Sequence, residues 1–265
     1  MPEAEPLLRV EGLSKSYYGL RAVTDLSFAV EGGSITGLIG PNGSGKSTTI
    51  DCISGFQRAD AGRWFLAGHD LTGLPPHRNA RAGLTRTFQA VRAYEELSLV
   101  DNLCLAAQSH DGVGWWSALR GSAQQRMAEA RARRRAQELL ALFGIERYAE
   151  APAGILSYGQ RKLLAIAASV MSRPRIVLLD EPVAGVTPKM IRRIEELIRN
   201  LNREGVTFVI VEHNVDFILN LCQRVIVMES GRKLAEGAPA MIRNDPKVLA
   251  AYMGVADTAT GAVHG

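Results

Sequence analysis

The sequence predicts an α/β fold with a parallel sheet, and three stretches predict it. "GPNGSGKSTT" at 40–49 is a glycine-rich loop set between the apolar run "SITGLI" and the helix-compatible "KSTTIDCIS". Two short apolar runs, "RIVLLD" at 175–180 and "TFVIVE" at 207–212, enclose an amphipathic helical stretch. Strand, crossover helix and strand in that order build parallel pairs. From about Val100 to Glu150 strand signals vanish, and Ala, Arg, Gln and Glu take over, which predicts a mostly helical insertion.

Taken in order, the first sixty residues give the strand-like runs "LLRVEGL", "LSFAV" and "SITGLIG" between glycine-containing turns. The loop that follows fits G-x-x-x-x-G-K-[ST] from Gly40 through Gly45, Lys46 and Ser47. Its glycines let consecutive backbone N–H groups turn toward phosphate oxygens, so Asn42, Gly43, Ser44, Gly45, Lys46, Ser47 and Thr48 are candidates to bind a nucleotide. Lys46 is expected to reach the β- and γ-phosphates and Ser47 to put its hydroxyl on Mg²⁺. A helix starting near Lys46 aims its positive end at the same anions.

Within the insertion, "SAQQRMAEARARRRAQELLALFGI" offers a narrow apolar stripe of Met127, Leu139, Leu140 and Phe143, with the arginines of 131–135 on a solvated face. Trp115 and Trp116 are expected to pack in this insertion. "LSYGQRK" at 156–162 then opens a strong helical run, with Ser157 placed to cap it and Gly159 free to let another backbone approach. The run "IVLLD" ends in Asp180, followed by Glu181, at the carboxyl end of a parallel strand where α/β folds bind ligands. There Asp180 can hold Mg²⁺ through water, and Glu181 can orient or deprotonate an attacking water.

Met190, Ile191, Ile194, Leu197, Ile198 and Leu201 recur at helical spacing and define the crossover helix. "RVIVMES" and "RKLAEG" around Gly231 read as a hairpin, "DPKVLAAYM" as a last short helix, and "ADTATGAVHG" as a weakly structured tail.

Composition narrows the classes. No stretch approaches the roughly 18 uncharged apolar residues of a membrane span, since "LLAIAASVM" soon meets Arg173 and Arg175. "MPEAEPLL" lacks the pattern of a signal peptide, and three cysteines, none in a CxxC, fit buried side chains in a reducing cytoplasm. The net charge of +4 is mild and selects no partner.

"LSYGQ" is similar to the LSGGQ signature of the ATP-binding-cassette (ABC) family, and it stands with the phosphate loop and "VLLDEP" in the family's order. The resemblance covers roughly residues 6–254. It implies a P-loop NTPase core of ABC type with an N-terminal antiparallel β subdomain (6–88 and 172–254), a helical subdomain insertion carrying the Q-loop and signature (89–171), and a flexible tail at 255–265. It implies Mg²⁺-dependent ATP hydrolysis in a head-to-tail pair of subunits, where Ser157, Gly159 and Gln160 contact the ATP held by the second subunit.

Gln89 in "RTFQ" matches the glutamine that touches metal and attacking water, and His213 matches the switch histidine on the γ-phosphate. Tyr18 matches the aromatic that stacks on adenine, with Tyr17 or a core role as competing readings. Two positions depart from the family pattern. Tyr158 replaces a signature glycine, and Thr187 takes the place of the D-loop aspartate, which puts that aspartate's role in doubt.

"RTFQAVRAYEELSLVDNL", "EPVAGVTP" and "DPKVLAAYMG" look similar to the branched-chain amino acid uptake subfamily, which includes urea and amide carriers. The resemblance implies an importer ATPase at the cytoplasmic face of the inner membrane. Its implied partners are integral membrane permease subunits, a second identical or paralogous ATP-binding subunit and, indirectly, a solute-binding protein. Val91, Tyr94 and Leu97 are expected to line the groove for a permease helix. The alternative is a cassette ATPase acting on nucleic acid or ribosomes; one cassette without an aromatic-basic stripe argues against nucleic acid.

Overall fold

A computed structural model of the chain describes residues 5–87, 93–107 and 123–252. Strands β1 (Leu8–Tyr17) and β2 (Leu20–Val30) form a hairpin, and β3 (Ile35–Ile39) crosses into a second sheet and leads through the phosphate loop into α1 (Lys46–Ile53). The chain returns to the first sheet with β4 (Ala61–Leu66) and β5 (His69–Asp70), then runs through α2 (Pro76–Ala82) to β6 (Leu84–Arg86). Helices α3 (Leu99–Ala107) and α4 (Ala123–Phe143) form the insertion, and α5 (Tyr158–Ser169) leads back to β7 (Ile176–Asp180). After α6 (Pro188–Arg203), β8 (Thr207–Val211) and α7 (Val215–Leu221) come the hairpin β9 (Arg224–Glu229) and β10 (Arg232–Gly237), α8 (Pro239–Arg243) and a helix α9 over 246–252.

The first sheet is antiparallel, in the order β2-β1-β4-β5. The second has the order β10-β9-β3-β8-β7-β6, parallel throughout except for β10.

The central strands β3, β7 and β8 are buried along their whole length and mostly apolar, because both of their faces are covered. Ile35, Ile39, Val177, Leu179, Phe208, Ile210, Val225 and Val227 pack with the helices of one layer. Leu38, Ile176, Leu178, Val209, Val211, Ile226 and Met228 face the other way, onto α1 and the antiparallel sheet, where Trp64 and Leu66 are fully buried. The sheet is thus a shared wall between two cores.

The insertion is helical, as expected, and Leu139, Leu140 and Phe143 of α4 bury against Leu99, Val100 and Leu103 of α3 and against α5. Met127 departs from the expected stripe: it is exposed, within a run of α4, residues 126–131, whose side chains are all exposed. Arg131, Arg133 and Arg134 do form a solvated face, with Arg133 reaching Asp101 and Glu129, whereas Arg135 is half-buried beside Glu138. Trp115 and Trp116 lie outside the described residues, as do Gln89, Val91 and the tail.

The three cysteines sit in different places: Cys52 is buried in α1, Cys222 is buried after α7, and Cys104 is half-buried on α3. Among the described residues, no helix is long and apolar enough to cross a membrane.

Candidate nucleotide site

The loop between β3 and α1 needs its glycines. A Cβ at Gly40 would meet the Met228 carbonyl oxygen at 2.1 Å, and one at Gly45 (φ 99°) would meet that of Ala22 at 2.4 Å. Gly45 precedes α1 without any side-chain cap, so the first amides of that helix are left for an external anion. Asn42 and Gly43 are exposed at the loop's tip and Ser47 on the first turn; Ser44 is buried and Thr48 half-buried.

Lys46, expected to reach phosphates, here turns back: its Nζ donates to the carbonyls of Gly40 (2.8 Å) and Pro41 (2.9 Å). Burial lowers its pKa against the opposing pull of the Glu181 and Asp180 charges. The lysine therefore fills, with carbonyl contacts, the space that a phosphate would contest.

Asp180 ends β7 and is buried. Its Oδ2 accepts from Arg86 Nη2 at 2.8 Å, both side chains being 7% exposed, while Arg86 Nη1 bonds Asp51 of α1 at 2.5 Å. Arg86 was not singled out from the sequence; its signal was a charge ending the short strand before "TFQ".

Glu181 follows with a left-handed backbone (φ 49°), an uncommon conformation outside glycine. Its N–H donates to the Val211 carbonyl (2.9 Å), and its Oε1 lies 2.8 Å from His213 Nε2. The structure therefore brings Glu181 and His213 together across neighbouring strand ends.

Beneath them Glu212, 2% exposed, accepts from the amides of Val183 (2.8 Å), His213 (3.1 Å) and Asn214 (3.3 Å). Burial pushes its carboxyl above the usual range, the three amides oppose that, and the Glu181 charge adds to it. A carboxylate prolonging an apolar strand, in "TFVIVE", was its sequence signal.

Ser157 caps α5 in a reciprocal box: its Oγ accepts from the Gln160 amide (3.4 Å), and Gln160 Oε1 accepts from the Ser157 amide (2.9 Å). At Gly159 the close approach differs from the expected one. A Cβ there would lie 3.0 Å from the Met190 side chain of α6, so a side chain rather than a backbone fills the space.

Tyr158 lays its ring against Gly185, whose added Cβ would meet Cε1 at 3.2 Å. Thr187 caps α6, accepting from the Met190 amide at 3.4 Å ahead of Pro188. Here the missing aspartate is replaced by a helix cap. Tyr18 is fully exposed at the β1–β2 turn (φ 48°), which rules out a core role; Tyr17 is partly exposed with Lys15 over its ring.

These groups fit a nucleotide with a hard dication. The loop and uncapped helix offer N–H groups to phosphates, and the Ser47 hydroxyl and Asp180 carboxylate are oxygen donors. Among the described residues, no group of three or more His, Cys, Asp or Glu could hold a metal ion.

A family model described as "ABC transporter" matches residues 23–184, and one described as "Branched-chain amino acid ATP-binding cassette transporter" matches 232–258. The chain is 37% identical over 254 residues to the high-affinity branched-chain amino acid transport ATP-binding protein BraF of Pseudomonas aeruginosa, covering 96% of this chain and 100% of that one. It is 37% identical over 258 residues to the probable branched-chain amino acid transport ATP-binding protein LivG of Archaeoglobus fulgidus, covering 95% and 97%. Among solved structures, a nucleotide-free ATP-binding cassette from an ABC transporter superposes with a TM-score of 0.81 at 33% identity, covering 94% of this chain and 99% of the other. The ADP conformation of such a cassette gives 0.81 at 32% identity, covering 95% and 100%.

Proposed function

Because the chain belongs to the ABC transporter family, we propose that it is the ATP-hydrolysing subunit of an importer for branched-chain amino acids or related small polar solutes. The match of residues 232–258 and the names of the relatives support that solute class. Two such subunits, identical or paralogous, work at the cytoplasmic face of the inner membrane on separate permease subunits fed by a solute-binding protein. The division into a core with its β subdomain (6–88, 172–254) and a helical part (89–171) belongs to the same reading.

The observation that carries the chemistry is the Glu181–His213 pair at 2.8 Å, beside a phosphate loop whose lysine senses both nearby carboxylates. Glu181 takes a proton from the attacking water, and His213 holds that carboxylate and offers its ring to the γ-phosphate. Lys46 leaves the loop carbonyls for the β- and γ-phosphates, and the amides of 42–48 cradle the rest. Ser47, Gln89 and Asp180 would hold Mg²⁺, which when bound would supply charge neutralisation at the phosphate oxygens. Tyr18 stacks on adenine. Ser157, Gly159 and Gln160 complete the neighbour's site.

The test is ATPase activity with nucleotide binding measured alongside. Glu181→Gln should bind ATP yet turn over about a hundredfold slower or worse, and Lys46→Ala should lose binding. Normal turnover by Glu181→Gln removes that residue as the base. Loss of leucine uptake in cells carrying Glu181→Gln tests the solute class; unchanged uptake, with no other cassette supplying it, rejects that class.

A further inference from the structure

The helix α5 carries a lysine that capping and packing do not require. Lys162 is 3% exposed, and its Nζ donates to the backbone carbonyl of Glu181 at 2.8 Å while lying 5.7 Å from the centre of the Tyr158 ring. Burying an ammonium is costly unless its protons are well placed, and the Glu181 carbonyl is one of the groups that place them. The peptide it secures is a particular one. Glu181 holds a left-handed φ of 49°, a strained conformation for a residue with a Cβ, which persists when its surroundings fix it.

Contacts from several sides hold this turn: Val211 accepts from the Glu181 amide, Glu212 accepts from the Val183 amide, Lys162 donates to the Glu181 carbonyl, and the turn's own Ala184 amide donates to that carbonyl at 3.3 Å. The first two come from the strand-end layer that also carries His213. The third comes from the signature helix. The Tyr158 ring against Gly185 gives the same helix a second hold on the loop, four residues beyond Glu181.

We propose that Lys162 is a positioning residue for Glu181 of its own chain: the signature helix acts through Ser157 on the neighbouring subunit's nucleotide and through Lys162 on the base of its own site. The inference rests on the shared-site reading above and extends it. Lys162 acts at one remove: it holds the carbonyl, the carbonyl fixes the turn, and the turn keeps the Glu181 carboxylate against His213.

The experiment is steady-state ATP hydrolysis by the purified full chain as wild type, Lys162→Met, Lys162→Arg, Glu181→Gln and the Lys162→Met/Glu181→Gln pair. Lys162→Met should lower kcat by about tenfold to a hundredfold with KM for ATP changed less than about twofold, and Lys162→Arg, still a cationic donor, should recover most of kcat. In the Glu181→Gln background the same Met substitution should cost less than about twofold, since the side chain it aims no longer acts. An equal loss in both backgrounds, or wild-type kcat in Lys162→Met, overturns the proposal.

If Lys162→Met does not fold, Lys162→Gln, shorter and uncharged but still a donor, is read by the same comparison of backgrounds. A wild-type chain that hydrolyses no ATP overturns the ATPase reading and this inference with it. An active wild type with an indifferent Lys162 overturns the inference alone.

Discussion

At the scale of single residues, the Arg86–Asp180 pair divides what spacing reveals from what it hides. Asp180 was legible because an apolar strand ends on it. Its partner was not, since Arg86 lies 94 positions away and meets it only once β6 and β7 align. The glycines at 40 and 45 and Ser157 were legible for the opposite reason: their roles are local, set by a turn or a cap. Lys162 and Glu212 sit in quoted stretches yet act on backbone groups contributed from elsewhere, which no spacing records. Removing one partner of a buried ion pair leaves a desolvated charge, so Arg86→Met should destabilise by about 3–5 kcal/mol. Asp51, 36% exposed in its side chain, is better screened, and Asp51→Asn should cost under about 1 kcal/mol. Thermal unfolding of the two variants checks the ordering; equal Tm values would show that Arg86 is not committed to Asp180.

At the scale of elements, periodicity read α6 well, because Ile194, Leu197, Ile198 and Leu201 bury one face of a long helix while charges hold the other. Short elements escaped it. In β4 Trp64 and Leu66 point inward, but Phe65 on the other face is half-buried under Arg9 and Arg63, so an outward aromatic masks the alternation. Two-residue β5 and seven-residue α2 are too brief to show a period. The segment 94–98 has no regular structure, yet it is firmly built. Asn102 accepts from the Tyr94 amide (2.8 Å) and donates to the carbonyls of Tyr94, Leu97 and Ser98 (3.0, 3.2 and 2.9 Å). That clamp leaves Tyr94 64% exposed and Leu97 partly so, an apolar pair presented on a fixed backbone. Tyr94→Ala should therefore leave Tm and basal hydrolysis nearly intact, and reduce stimulation by the permease severalfold. A fall in Tm with matching loss of basal rate would mean that the ring supports the fold.

At the scale of the whole molecule, the parallel sheet separates two cores that share its strands, and the helical insertion packs into one of them through α5. That layering was legible in outline from the fully apolar strands, while the partition of each strand's residues between the cores required the sheet order. The placement of the three cysteines turns this architecture into its own clock for chemical labelling. Thiolates are what alkylating reagents attack. Burial pushes the Cys52 thiol to about 11 and the Cys222 thiol to about 12, whereas Cys104, also raised, is half-open to solvent. Near pH 8 the native chain should be alkylated first at Cys104, with Cys52 and Cys222 following only as the layers over them open. Saturating ATP with Mg²⁺ binds the folded state and should lengthen the Cys52 half-time most, because Cys52 lies on the same helix as Lys46, fewer than two turns beyond it. Mass spectrometry of tryptic peptides against time measures all three in one tube, and Cys52 reacting as fast as Cys104 would show that α1 is loose in the resting chain. One reagent thus times the opening of each layer from within, with no probe to be introduced.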